Sequence, residues 1–352
     1  MTSETAKKSS GLFLSHTGSY PRIGDSPELQ TLRRSIAALD RGTGTLADLH
    51  AAEDDMTRRA ISDQARAGVE WLTDGLIRWY DPVSHLAGKL EGVEIRGLLR
   101  FFDTNTYFRQ PVVTARPTRR KPLLVEEYKF AHAALSHLPT PHANGTTRIK
   151  AVLTGPYTLA KCSLSENDAT AKLETRAAAY AEALAAEIVD LAAAGVELIQ
   201  VDEPAIVKYP SDWGIFEQAI TPILRARDNA VSKPKLALYV YFRDCVPLYE
   251  KLTSLPFDII GLDFTYNPAL VDVVASKGSP RALGLGLLDG RNTRLEDPAV
   301  VAKQIERMLP KIQGGQAHLG PSSGLEYLPR DRAQGKLELL GRVRSAFLGM
   351  EA

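Results

Sequence analysis

Short apolar, β-type runs alternate along this chain with longer segments of helical period. The runs are Leu12 to His16, Val69 to Asp74, Ile149 to Leu153, Val196 to Val201, Lys235 to Tyr241, Ile259 to Asp263, Ala282 to Leu288 and Ala317 to Gly320. Eight runs of this kind are what a (β/α)8 barrel requires. Among the helices between them, Ala171 to Ala194 is built almost wholly of strong helix formers and is closed by Gly195, a residue suited to end a helix. Asp297 followed by Pro298 opens another, which runs towards Leu309 and ends before Pro310. Segment 75–147 lacks this rhythm. It carries the aromatic cluster Arg100-Phe-Phe-Asp-Thr-Asn-Thr-Tyr-Phe-Arg109 and then the basic stretch Thr114 to Lys121. Structureless loops of such length are uncommon in compact domains, so a folded excursion over the barrel mouth is expected. The predicted layout is a disordered start over 1–10 and one α/β unit, a single TIM barrel, over 11–350.

Composition narrows the partners. A chain of 352 residues is long for a compact domain but ordinary for one barrel. Hydrophobic residues make up 44% and charged residues 24%, and no run approaches the roughly 18 uninterrupted apolar residues of a membrane span. The opening ten residues are polar and lack the apolar core of a secretory signal. With 43 basic against 42 acidic side chains, no general field gathers nucleic acid or an anionic membrane surface. Two cysteines, Cys162 and Cys245, leave no disulfide framework, which points to a reducing cytoplasm and limits any thiolate metal site.

In a barrel of this kind the chemistry sits where strands end. After the first run come Ser19 and Arg22; after the second, Asp74 with Arg78, Trp79, Tyr80 and Asp81; within the excursion, Asn105 and Tyr107. The fourth run ends in Asp202-Glu203, and later runs deliver Tyr239, Tyr241, Asp263, Asp289, Arg291, Asn292, Ser322 and Ser323. Asp202, Glu203 and Asp289 are the candidate acids and bases; Arg22, Arg78 and Arg291 are candidate grips for a carboxylate. Each has a plainer structural reading: Asp-Glu-Pro can simply end a strand, Phe101 to Phe108 can be buried lid core, and Arg116, Arg119, Arg120 and Lys121 can form a solvated loop. No Walker loop, nucleophile elbow or Cys-x-x-Cys pair occurs, and no histidine sits in a His-x-x-x-His pair. The residue types suit a small zwitterionic or anionic substrate.

Five segments in the same order, Ser19-Tyr-Pro-Arg-Ile-Gly24, Leu153-Thr-Gly-Pro156, Ile199-Gln-Val-Asp-Glu-Pro-Ala205, Gly286-Leu-Leu-Asp-Gly-Arg-Asn292 and Gly324-Leu-Glu-Tyr-Leu-Pro329, resemble the cobalamin-independent methionine synthase family over nearly the whole chain. That family's enzyme is built of two tandem barrels, and the C-terminal one carries a catalytic zinc held by a His-x-Cys pair, a glutamate and a late cysteine. The resemblance implies that those positions are occupied here by Tyr239 and Tyr241, by Asp263 and by Ser323, so no zinc of the family type is expected. Arg78-Trp-Tyr-Asp81, Phe102-Asp-Thr-Asn-Thr-Tyr107, Tyr241-Phe242 and Gly290-Arg-Asn292 are similar instead to the N-terminal, non-zinc barrel. Lysines that help that barrel hold a folate tail correspond to Gln30 and Thr31, with Arg33 and Arg34 nearby.

Two functions follow as expectations. The first is a methionine-synthase component without its own zinc, working with a zinc-bearing homologous barrel to pass a methyl group from methylfolate or a methylcorrinoid to homocysteine. The second is a self-sufficient, metal-free transferase or lyase acting on a small carboxylate or amino-acid-like substrate.

Overall fold

The computed structural model describes residues 11–102, 104–138 and 147–350; the opening stretch 1–10 and Asp103 of the aromatic segment lie outside the described residues. The strands in chain order are β1 (Leu12–Leu14), β2 (Trp71–Leu72), β3 (Glu91–Arg100), β4 (Tyr107–Thr118), β5 (Arg148–Ile149), β6 (Ala151–Thr154), β7 (Leu164–Ser165), β8 (Leu198–Asp202), β9 (Lys235–Val240), β10 (Ile259–Asp263), β11 (Ala282–Leu288) and β12 (Ala317–Pro321). Seven of them form one curled parallel sheet in the order β1-β12-β11-β10-β9-β8-β6. Its two edge strands are linked through a second, smaller pair. Ser15 bridges Trp71, β2 pairs in parallel with β5, and only Lys150 separates β5 from β6. All eight apolar runs contain strand.

Every residue of β6, β8, β10 and β12 is buried, as expected for parallel strands covered on both faces. Inside the curl, bulk on one strand is matched by its absence on the next. A methyl group at Gly261 of β10 would collide with the ring of Tyr239 on β9, so the bare glycine lets that ring lie across the interior. The outer layer is helical. The alanine-rich segment forms Leu173–Ala193, and Asp297 caps Pro298–Met308 by accepting a hydrogen bond from Ala299 N (2.8 Å).

The irregular segment is folded: β3 and β4 make a long antiparallel hairpin, β7 adds to β4, and Val125–Ser136 is a helix. Phe101 at the hairpin tip is buried, and the Phe101 and Phe102 rings lie 6.0 and 6.2 Å from Phe242, which follows β9. The tip end of the hairpin is tied to the loop after β2 where Asp81 Oδ2 accepts Arg109 N (3.0 Å). One expectation is corrected here. Arg116 belongs to β4, and Arg119, expected in a solvated loop, is largely buried against Glu187 (2.9 Å) and Asp190. The reason is that Glu187 is wholly buried and needs donors, which Leu123 N, Leu124 N and Arg119 supply.

Glu203 acts similarly for the helix Pro156–Cys162. Its carboxyl accepts Tyr157 N (2.9 Å), Thr158 N (2.7 Å) and the Thr158 hydroxyl (2.6 Å), and a side chain at Gly155 would strike it. Glu203→Ala strands these buried donors, so it is expected to lower stability by about 3 kcal/mol, measured as a fall in the urea midpoint at unchanged slope.

Candidate functional site

Side chains from β1, β5/β6, β8, β9 and β12 meet inside the curl, from Lys150 just before β6 up to Asp202 at the carboxyl end of β8. Lys150, between β5 and β6, is buried and donates to Ser15 Oγ (3.0 Å) and to Gln200 Oε1 (2.7 Å). Its ammonium lies 5.1 Å from the centre of the Tyr239 ring. Gln200 passes the connection on: its Nε2 donates to Asp202 Oδ1 (2.7 Å) and to Thr17 O (2.5 Å). Asp202 Oδ2 accepts the Tyr241 hydroxyl (3.1 Å). Burial pushes the Asp202 carboxyl up to about 7, against the pull of its two hydrogen bonds and Lys150. Burial also pulls Lys150 down to about 7, with Asp202 opposing. His16 and His318 are brought down to about 3 by burial and by Lys150, so both stay neutral.

Above this floor the loops after β1, β2, β11 and β12 bring a second set together. Arg22 lies over one side of Tyr80 (5.1 Å to the ring centre), and Arg109 of β4 lies 4.4 Å from the same ring. Two Arg22 nitrogens, Nε and Nη2, are buried without a hydrogen-bond partner among the described residues. Burial lowers its pKa, while Tyr80, Glu53 and Glu326 act the other way. Burial raises the Glu326 carboxyl, partly offset by hydrogen bonds with Ser19 and Tyr327 and by the charge of Arg22. Arg291 donates to the Tyr266 hydroxyl (2.9 Å) and lies over the Tyr266 and Phe242 rings at 4.5 and 5.6 Å. The Phe242 ring packs 5.8 Å from Tyr327. Cationic guanidiniums and buried carboxyls facing one aromatic-lined mouth suit a small zwitterion: an arginine can take a carboxylate, and Asp202 or Glu326 an ammonium.

Of the residues singled out in the sequence, Ser19, Arg22, Tyr80, Asp202, Tyr241 and Arg291 join this constellation. Others are committed to holding the chain in place. Glu203 ties a helix; Asp263 accepts Phe242 N, Thr265 N and the Thr265 hydroxyl; Asp81 accepts from Val83 N, Ser84 N, Ser84 Oγ and Arg109 N. Arg78 pairs with Glu53 and Asp54 and lies over Phe130, while Trp79 stacks on His85 and donates to Glu127. Asp289 accepts Arg291 N (2.9 Å) and lies 3.7 Å from that guanidinium, and exposed Asn292 caps Arg294 N. Asn105 and Tyr107 are exposed near the hairpin tip, with Asn105 accepting from Arg100. Lys150, Gln200, Arg109, Glu326 and Tyr327 had not been singled out. A lysine inside the apolar run Ile149 to Leu153 was the available signal for the first.

The positions that correspond to zinc ligands do not suit zinc. Burial raises both phenols far from ionisation. Tyr239 hydrogen-bonds with Ser15 and Tyr241 donates to Asp202. Both Asp263 oxygens are taken by backbone and hydroxyl donors, and Ser323 Oγ donates to Gly324 O. A lysine ammonium beside Tyr239 further opposes a dication.

Residues 15–345 match the family described as cobalamin-independent synthase, catalytic domain. A methionine synthase of Sulfurisphaera tokodaii is 31% identical over 320 residues, covering 90% of this chain and 88% of that protein. One from Saccharolobus solfataricus is 29% identical over 318 residues, covering 90% of each. Among solved structures, the B12-independent methionine synthase from Shewanella sp. W3-18-1, in complex with selenomethionine, superposes with a TM-score of 0.75 at 20% identity, covering 96% of this chain and 99% of that one. At that identity the superposition speaks for a shared TIM-barrel-like fold, while the sequence matches carry the kinship: the chain belongs to the cobalamin-independent methionine synthase family.

Proposed function

We propose that this chain is one complete (β/α)8 barrel, closed through the Ser15–Trp71 bridge and the β2–β5 pair, that serves methyl transfer to homocysteine without zinc of its own. In this reading it is a methionine-synthase component of the N-terminal, non-zinc type. A zinc-bearing homologous barrel activates the thiol, the donor is a methylfolate or a methylcorrinoid, and the setting is the cytoplasm. The observation that carries it is the donor set: Tyr239, Tyr241, Asp263 and Ser323 stand at the ligand positions, each engaged in other hydrogen bonds. The matching family description is that of a catalytic domain; what favours the non-zinc type is this donor set together with the segments Arg78 to Asp81 and Phe102 to Tyr107. No described helix is long and apolar enough to cross a membrane.

The part the chain's own residues play is recognition of an amino acid. Arg22 and Arg291 flank the mouth as carboxylate partners, Asp202 and Glu326 as ammonium partners, and the aromatic group Tyr80, Phe242, Tyr266 and Tyr327 excludes water from the side chain. The second reading, a metal-free transferase or lyase on a small carboxylate, draws on the position of Lys150 and Asp202 near neutrality, where proton transfer is easiest.

Reconstitution separates the two. The purified chain, alone or with zinc, should not methylate homocysteine from either donor, and adding a zinc-bearing homologous barrel should restore turnover. Methylation by the zinc-loaded chain alone would sink the proposal, and metal-independent turnover of a carboxylate by the isolated chain would establish the second reading. Binding gives an independent check. A raised carboxyl holds an ammonium only when ionised, so affinity for L-methionine should climb as pH rises through about 7 and fall away below it, followed by calorimetry between pH 5.5 and 8.5. Asp202→Asn should weaken that binding by about 2 kcal/mol, roughly thirtyfold, and flatten the pH dependence. Its urea midpoint should barely move, since an amide is cheaper to bury than a carboxylate.

A further inference from the structure

We propose that Lys150, together with Gln200, is the positioning residue that favours the ionised form of Asp202 against burial and keeps it directed towards an amine in the mouth. The proposal rests on the amino-acid-binding reading of that site. A buried lysine normally faces a carboxylate directly, or its position is filled by an apolar side chain at less cost. Lys150 does neither. Its ammonium donates to two neutral groups, Ser15 Oγ and Gln200 Oε1, and lies against the Tyr239 ring. The carboxylate it serves is one amide further on, since Gln200 Nε2 donates to Asp202 Oδ1.

That intermediate amide explains the arrangement. A glutamine has one accepting and one donating end, and an ammonium can only donate. With Lys150 charged, Oε1 must turn to it, and Nε2 is then fixed towards Asp202 and Thr17 O. Asp202 therefore always meets a donor, which favours its ionised form, and the cation's field acts in the same direction. Thr17 O, which can only accept, holds Nε2 the same way, so without the ammonium the amide keeps its orientation and what Asp202 loses is the cation's field and the polarisation of that donor.

The other groups around Asp202 do not supply this effect. From β9, Tyr241 donates one hydrogen bond, and Tyr239 stays neutral. From β1 and β12, His16 and His318 remain uncharged because burial and Lys150 oppose their protonation. On its own strand end Glu203 is turned away to the helix Pro156–Cys162. Lys150 is thus the cation that acts on Asp202 from within the curl.

The test follows the Asp202 carboxyl by carbon NMR in ligand-free protein labelled at aspartate Cγ, with Asp202→Asn identifying its signal. The midpoint near 7 in the native chain should rise by about one pH unit or more in Lys150→Met and in Lys150→Gln. L-Methionine affinity at pH 7 should fall about fivefold or more in both, and recover above the new midpoint. Lys150→Gln retains a hydrogen-bonding side chain, so it reports if Lys150→Met does not fold; Gln200→Leu, which keeps both charges, should raise the midpoint as well. A purely structural lysine would change the thermal midpoint and leave the carboxyl titration where it was, and that result would overturn the proposal. If the carboxyl midpoint moves but the native chain binds neither methionine nor homocysteine, the relay stands and the functional reading fails.

Discussion

Inside a curled parallel sheet, any polar side chain at the strand ends is withdrawn from water by the strands around it. Burying an ion there costs several kcal/mol unless partners compensate, and this constraint shapes the chemistry of the molecule. Lys150, Gln200, Asp202 and Tyr241 answer it as a chain of donors and acceptors running from β5/β6 through β8 to β9. The neighbouring histidines answer it by remaining neutral. Around them, Glu203, Asp263 and Asp81 meet the same demand by accepting backbone N–H groups, so they fix loops in position. The strand ends thereby separate these acids by their partners: Glu203, Asp263 and Asp81 are held by backbone donors, while Asp202, pushed up to about 7 by burial, accepts from the side chains of Gln200 and Tyr241.

Much of the architecture was legible in the residues because buried parallel strands leave an unambiguous trace. Each predicted run contains strand, and the alanine-rich helix and the Asp297-capped helix lie within a residue or two of their expected bounds. The excursion was recognised only as folded, since a hairpin whose β3 is mostly exposed and whose β4 carries Pro111 and Pro117 has no clean alternation to read. Site residues were harder still. Asp202 and Glu203 are adjacent and alike in sequence, yet opposite side-chain directions send one to the mouth and the other to a helix start. Arg119 looked solvated because nothing local announces that Glu187, nearly seventy residues later, lies buried against it. Lys150 sat within a strand run, where a single charge reads as an interruption until its partners on β1 and β8 are known.

A zinc that activates a thiol depends on soft, ionised donors, and on the proposed account buried phenols, a fully hydrogen-bonded carboxyl and a hydroxyl stand at those positions here. On that account kinship in sequence and fold coexists with a changed centre, as TIM-barrel-like folds permit because their chemistry is set by the loops and strand ends. What remains is an aromatic, guanidinium-rimmed mouth suited to both ends of an amino acid. On the proposed account the chain contributes recognition of the amino acid, and the thiol is activated on another barrel.

The central claim is that this barrel recognises an amino acid without turning its thiol into a thiolate. Calorimetry of L-homocysteine and L-methionine binding, in two buffers of different ionisation heat and with zinc offered, tests it most directly. The account predicts similar affinities for the two ligands, unchanged by zinc, with no thiol proton released to buffer. Zinc-dependent binding of homocysteine far tighter than methionine, with about one proton released per ligand as a metal-bound thiolate requires, would contradict it.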